Sequence, residues 1–295
     1  MARKGRAGSS PAPGTTLAMK TRLAPTPSGL LHAGNGASFA LAWRLAREAG
    51  GQVLLRIDDL DAERVRPEYV QDIFDTLEWL GLDWYQGPRT PADLVREWSQ
   101  HLRVAGYTAL VGRLRADGHL YACTCSRKDI AERTGSGEYD GHCRDLGLPL
   151  DTPGCRWRLR MPAGASVAMR TWPAGRVREL PLDMPDPVIL QQNGRPAYQI
   201  ASLADDLQFG VDLIVRGKDL LPSTAIQLHL ARLLGEAAFG EALFLHHALL
   251  LDDTGEKRSK SKGAASLQAA RLRGEDPAFV HALADGLLQQ VLGEP

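Results

Sequence analysis

Apolar positions along the chain fall into two periods. Between residues 35 and 49, Phe39, Ala42, Trp43 and Ala46 recur at the three-and-four spacing of a helix, and Gly50-Gly51 supplies its stop. Val70, Ile73, Phe74, Leu77 and Leu80 repeat that spacing before Gly81. Leu94, Trp98, Leu102, Leu110 and Leu114 predict a third helix from about Asp93 to Asp117, with Gly118 after it. Ser223 is the candidate cap of a helix running through Ala231 to Leu234, and Phe279, Leu283, Leu287 and Leu288 predict a single closing helix. The short apolar runs Val53–Ile57, interrupted only by Arg56, and Leu213–Val215 carry the other mark, that of short strands buried on both faces. Around Asn193-Gly194, the segments 186–191 and 195–200 predict a hairpin with a type I′ turn, although Pro196 weakens the second strand.

One stretch organises these elements. Arg22-Leu23-Ala24-Pro25-Thr26-Pro27-Ser28-Gly29-Leu30-Leu31-His32-Ala33-Gly34-Asn35 reads as a strand end, a turn that cannot extend the strand, and a helix start near Asn35. A helix beginning there aims backbone N–H groups at the turn, which suits an anion such as a phosphate, and His32 lies beside it. With Val53–Ile57 this is a βαβ unit, so the fold class is α/β on a Rossmann-like, doubly wound parallel sheet. Ligands in such sheets lie beyond the carboxyl ends of strands, which brings the Thr26–His32 turn and Asp58 into one crevice. Arg216 ends the other buried strand, where a guanidinium can grip a substrate carboxylate in a fork or pair with Asp219 or Asp206.

Composition narrows the partners. The 295 residues are 44% hydrophobic, enough for a full core plus a small module, and no run approaches the ~20 apolar residues a membrane span needs. Residues 1–20 are basic and lack an apolar stretch, so they read as a disordered tail and not a secretory signal, and a cytoplasmic monomer is expected. Lys plus Arg is 35 and Asp plus Glu is 35, so RNA contact, if any, is local. Between Cys155 and Arg178 stand Arg156, Arg158, Arg160, Arg170, Arg176 and Arg178 with no acid among them: a backbone-binding face, or the wet side of an antiparallel strand. Three of the four cysteines cluster as Cys123-Thr124-Cys125 and Cys143, which in a reducing compartment favours a thiolate metal site over disulfides. By residue chemistry the fourth ligand is open among Cys155, His142 and Tyr139.

The His32 turn resembles the signature Ala-Pro-x-Pro-x-Gly-x-Leu-His-x-Gly of class I aminoacyl-tRNA synthetases of the glutamate and glutamine branch. Lys257-Arg258-Ser259-Lys260-Ser261, after Asp252-Asp253-Thr254-Gly255, resembles their second, Lys-Met-Ser-Lys-Ser loop, with Arg258 at the Met position. Cys-x-Cys followed by Tyr139-Asp140-Gly141-His142-Cys143 is similar to glutamyl-queuosine tRNA(Asp) synthetases. The resemblance covers roughly residues 20–263, and it implies an enzyme that activates glutamate as an adenylate with ATP and Mg²⁺ and transfers it to queuosine in tRNA(Asp). It implies His32 and Lys260 as catalytic residues and ATP contacts from His32, Gly34, Asn35, Lys257, Ser259 and Lys260. Glutamate contacts are implied for Arg22, Leu23, Ala24, Pro25, Thr26, Asp58, Tyr198 and Arg216, and a structural Zn²⁺ for Cys123, Cys125, Tyr139 and Cys143, with Cys155 an ordinary buried thiol. Asp58 departs from the Glu that glutamyl enzymes carry there. The expected division is a tail over 1–20, halves of the catalytic domain over 21–118 and 186–263, an inserted zinc-binding module over 119–185, and a helix over 264–295. Residues 262–295 are far fewer than the hundred or so that an anticodon-reading domain would need. A truncated glutamyl- or glutaminyl-tRNA ligase and a silent nucleotide- or RNA-binding module are the alternatives.

Overall fold

The computed structural model describes residues 19–250 and 266–293. Residues 1–18 of the expected tail and the Lys257–Ser261 loop therefore lie outside the described residues, while Lys20 already belongs to β1. The chain opens with β1 (Lys20–Leu23), α1 (Ala33–Glu48), β2 (Gln52–Leu55) and α2 (Pro67–Trp79). There follow α3 (Pro91–Asp93), a π-helical turn over Leu94–Trp98, a 3-10 turn over Gln100–Arg103, and α4 (Val104–Ala116). Next come β3 (Leu120–Cys123), α5 (Arg127–Thr134), β4 (Arg156–Leu159), β5 (Ser166–Thr171), β6 (Arg176–Pro181) and β7 (Val188–Leu190). The last group is α6 (Tyr198–Gln208), β8 (Leu213–Gly217), α7 (Leu221–Leu233), α8 (Ala237–Glu241), β9 (Leu243–His247), α9 (Leu267–Leu272) and α10 (Ala278–Gly293).

Six strands form one sheet in the order β2-β1-β8-β9-β5-β6, parallel throughout except for the β5–β6 hairpin. Period-2 alternation divides its residues between two cores. Leu213, Val215 and Leu245 face α1, α2 and α10, while Ile214 and Phe244 face α6, α7 and α8. β1 has β2 on one side and β8 on the other, so its carboxyl end is a topological switch point, where a crevice opens. β3, β4 and β7 make a separate antiparallel sheet, and β5 and β6 extend the main sheet although both fall within 119–185.

Five local expectations are corrected. The helix expected over 93–117 is broken at Ser99, because the Ser99 hydroxyl and the Gln100 N–H donate to the two oxygens of Asp59 at 2.7 and 2.8 Å. Side-chain bonds to a buried carboxylate thus outcompete helical ones, and Leu102, expected in the core, is exposed. The second hairpin strand is absent: past one bridge between Leu190 and Pro196 the chain enters α6, whose Ile200, Ala201 and Leu203 face the core. The turn is not type I′, since Gly194 has φ 77° while Asn193 does not have positive φ; the Gly194 N–H closes it onto the Gln191 carbonyl at 2.9 Å. The closing segment forms two helices, separated by Gly274 at φ 71° and Pro277. Ser223 sits inside α7, whose cap position is Leu220. Among the described residues no helix is long and apolar enough to cross a membrane.

The free edge of β2 is covered by residues 85–87: the Leu55 N–H donates to the Gln86 carbonyl at 2.8 Å, and Tyr85 donates to Val53 at the same distance. Gly87 holds φ 122° there, and a Cβ would collide with the Leu55 carbonyl oxygen. Gly87→Ala is expected to lower the unfolding free energy by about 1–3 kcal/mol from backbone strain alone. Urea denaturation with an unchanged m-value would check it.

Candidate active site

The crevice at the switch point is a cavity of about 430 Å³. Its walls come from the residues just past the carboxyl ends of four parallel strands: the 24–35 turn after β1, Arg56 and Asp58 after β2, Arg216 to Leu220 at β8, and His247 to Leu250 at β9. Arg22, Ala24, Pro25, Thr26, His32, Gly34, Asn35, Asp58, Tyr198 and Arg216 all line it. Leu23 does not; its side chain is fully buried in the core, as the alternation of β1 requires. Lys257, Ser259 and Lys260 lie outside the described residues. The residues that flank them meet the same turn: Leu250 lines the cavity, and the Leu267 N–H donates to the Leu31 carbonyl at 2.8 Å.

Helix α1 starts at Ala33, two residues before the expected Asn35, because His32 caps it. Its Nδ1 accepts the Gly34 and Asn35 N–H groups at 3.1 and 3.4 Å, and the Asn35 side-chain oxygen accepts the His32 N–H at 3.2 Å. Two of the N–H groups expected to face an anion are therefore taken by the imidazole. With Nδ1 an acceptor, the proton of the neutral ring resides on Nε2.

Beneath the cavity lies a buried ionic cluster that the sequence reading found only in part. Asp206 Oδ1 accepts from Arg22 Nε at 3.2 Å and Arg56 Nη1 at 2.6 Å. Arg56 also forks onto Asp58, Nε to Oδ1 at 2.7 Å and Nη2 to Oδ2 at 3.1 Å. Burial pushes the Asp58 carboxyl up, and the Arg56 charge and hydrogen bonds oppose that shift. Arg216 is held on one side, Nη1 donating to Gln227 Oε1 at 2.9 Å, while its Nε and Nη2 have no hydrogen-bond partner. Nη2 stands 4.0 Å from Asp206 Oδ2, and burial pushes this guanidinium down to about 10. The cluster thus sets three guanidiniums against two carboxylates, an excess of one positive charge next to the cavity. Arg56, Asp206 and Gln227 were missed as site residues. Arg56 stands two residues before Asp58 within the Val53–Ile57 run, and Asp206 enters the sequence reading only as a salt-bridge partner.

The cysteine cluster is also formed. Cys123, Cys125 and Cys143 are buried, with their sulfurs within 4.8 Å of one another. Tyr139 packs into the same small core, and its hydroxyl accepts the Cys143 N–H at 2.9 Å. Cys155 lies apart, donating to the Leu150 carbonyl at 3.3 Å, and His142 is exposed. The arginine run divides by position. Arg158 is buried with its guanidinium 3.6 Å from the Tyr139 ring centre, Arg156 donates to the Cys125 carbonyl, and Arg160 pairs with Asp145; Arg176 and Arg178 are exposed. The first three therefore serve the module's packing, not a wet strand face.

Residues 18–287 match the catalytic domain of class I tRNA synthetases (E and Q). The chain is 38% identical to a glutamyl-Q tRNA(Asp) synthetase of Nitratidesulfovibrio vulgaris, over 87% of this chain and 82% of that protein. It is 34% identical to one of Rhodobacter capsulatus, over 90% and 99%. In fold it is similar to a crystal structure of a glutamate tRNA ligase from Elizabethkingia meningosepticum, with a TM-score of 0.72 at 23% identity, spanning 90% of this chain and 60% of that one.

Next to Arg216, His246 Nε2 lies 2.8 Å from Thr224 Oγ1, and burial together with the Arg216 charge pushes this imidazole down to about 3. His229 is pushed down to about 4 by burial, so both stay neutral in the fold. Depressed histidines contribute stability above their ordinary value of 6.5 and lose it as the pH falls toward the folded value. Unfolding free energy is therefore expected to fall between pH 6.5 and 4. In His246→Gln the slope should flatten by about 1.4 kcal/mol per pH unit, one proton's worth, as read by urea titration at each pH.

Proposed function

We propose a function that proceeds from one premise: the chain belongs to the class I tRNA synthetases of the glutamate and glutamine type. It is a ligase that activates glutamate with ATP and transfers it to the queuosine base of tRNA(Asp), as the names of its 34–39% identical relatives support. The observation that carries this reading is the half-satisfied Arg216. A buried guanidinium with Nε and Nη2 unpartnered, in a cluster with one positive charge in excess, is complementary to one carboxylate of the amino acid. Asp58, whose oxygens each keep a lone pair beyond the Arg56 fork, faces the ammonium, and Tyr198 at the rim covers the substrate.

Adenylation places negative charge on the α-phosphoryl oxygens and on leaving pyrophosphate, so catalysis is placement plus positive charge and N–H donors. His32 offers its Nε2–H from a ring that the start of α1 fixes in orientation. Lys257, Ser259 and Lys260 supply the further cations and hydroxyl for the phosphates, with Mg²⁺ carried by the ATP. The expected result is glutamate-dependent exchange of pyrophosphate into ATP, lowered on the order of a hundredfold or more in Arg216→Ala. Failure of every amino acid to support exchange would remove the proposal. Charging of a tRNA 3′ end is the second reading, favoured by Asp58. It predicts that trimming the terminal adenosine from tRNA(Asp) abolishes attachment, whereas the first predicts attachment to trimmed RNA and none to queuosine-free RNA.

Cys123, Cys125, Tyr139 and Cys143 would hold a structural Zn²⁺. The soft, buried sulfur set fits that ion, and Arg158 over the Tyr139 ring and Arg133, whose Nη2 lies 3.5 Å from Cys125 Sγ, offset its anionic ligands. One zinc per chain is expected by metal analysis, lost in Cys143→Ser. Removal by a chelator should lower Tm by on the order of 5 °C or more.

A further inference from the structure

The two C-terminal helices dock on the βα unit that carries His32. At Gly36 in α1 a Cβ would stand 2.8 Å from Leu267 Cδ1 and 3.0 Å from Val280 Cγ1, so the glycine is what lets α9 and α10 approach so closely. Trp79 Nε1 donates to the Glu275 carbonyl at 3.2 Å, and His281 Nε2 lies 2.9 Å from the Leu80 carbonyl. The strongest tie is ionic. Arg271 of α9 reaches α2, with Nη2 3.1 Å from Asp72 Oδ1 and Nη1 2.9 Å from Asp75 Oδ2. Asp72 is 2% exposed. Burial pushes its carboxyl up, against the Arg271 charge and the Leu31 N–H.

These ties converge on one residue, Leu31, the neighbour of His32. Its carbonyl accepts the Leu267 N–H, and Asp72 holds Arg271 one turn beyond Leu267. We propose that the Asp72–Arg271 pair is a positioning device for the nucleotide half of the reaction: it fixes α9 against the His32 turn. Arg271 and Asp72 do not line the cavity, so they act through Leu31 and Leu267 and not on the substrate. The glutamate half of the site, built from Arg22, Arg56, Asp206 and Arg216, shares no hydrogen bond with the pair. The inference rests on the adenylation reading.

The test uses the full chain and compares Arg271→Ala, Arg271→Lys and Asp72→Asn with wild type in glutamate-dependent pyrophosphate exchange, with thermal unfolding run with and without Mg·ATP. Arg271→Ala is expected to raise KM for ATP about tenfold, leave KM for glutamate within about twofold, and lose most of the Tm increment given by Mg·ATP. Arg271→Lys, which keeps the charge, is expected to recover a large part of both ATP effects. Wild-type constants for ATP in folded Arg271→Ala would overturn the proposal, as would equal losses for ATP and glutamate, the mark of general loosening. Should Asp72→Asn not fold, Arg271→Ala decides, since its side chain sits at the rim of the contact with 21% exposure. A wild-type chain that exchanges normally beside an unaffected variant sinks this inference alone; one that neither exchanges nor is stabilised by Mg·ATP sinks the adenylation reading and this inference together.

Discussion

The Asp206 carboxylate is the constraint on which the crevice depends. Three guanidiniums within a few ångströms of each other repel strongly in a dry environment, and each has lost its water. Asp206 Oδ1 is shared between two of them, and Oδ2 faces the third at 4.0 Å. Removing this one carboxylate would leave three buried cations against Asp58 alone, a loss on the order of 3–5 kcal/mol for a broken buried pair. The strand order makes the arrangement possible. β1, β2 and β8 are neighbours, so Arg22, Arg56 and Arg216 emerge side by side, while α6 crosses beneath them carrying Asp206.

Helix α6 gives two consecutive acids to two different networks. Asp206 turns toward the crevice, and Asp205 binds Arg103 in a fork at 2.8 and 2.9 Å and accepts the Tyr107 hydroxyl at 2.6 Å. Burial opposes the ionisation of Asp205, yet these bonds and the Arg56 and Arg103 charges hold its carboxyl below the usual range. Gln100 ties the Asp205 network to the segment that follows β2, its side chain donating to Asp205 and its backbone to Asp59. The break at Ser99 is thus the local price of anchoring the 94–116 stretch to the strand end that carries Asp58.

What was legible in the sequence is what is local. The His32 turn, the βαβ unit and the charged ends of buried strands are each written within a dozen residues, and the structure brings Arg22, Thr26, His32, Asp58, Tyr198 and Arg216 to one cavity. Contacts closed over long separations were not legible. Arg56 meets Asp206 across 150 positions, Ser99 meets Asp59 across 40, and neither has a periodic signature. Residues 195–200 read as a strand because the Asn-Gly turn before them is real, but the last three of them open α6, whose buried Ile200, Ala201 and Leu203 override that cue. Leu23 belongs to the run that the resemblance assigns to glutamate, but in a strand adjacent residues point to opposite faces, and its side chain lies in the core. The arginine run divides by strand and not by period, since Arg158 on β4 is sunk against Tyr139 and Arg176 on β6 faces solvent.

The imidazole that caps α1 has a consequence for how position 32 can vary. Its Nδ1 terminates a helix while the residue lines the cavity, so alanine there would lose about 1 kcal/mol of capping in addition to its place in the cavity wall. Asparagine caps helices well but has no aromatic nitrogen to extend outward. The architectural half and the chemical half of this histidine are thus separable by side-chain choice.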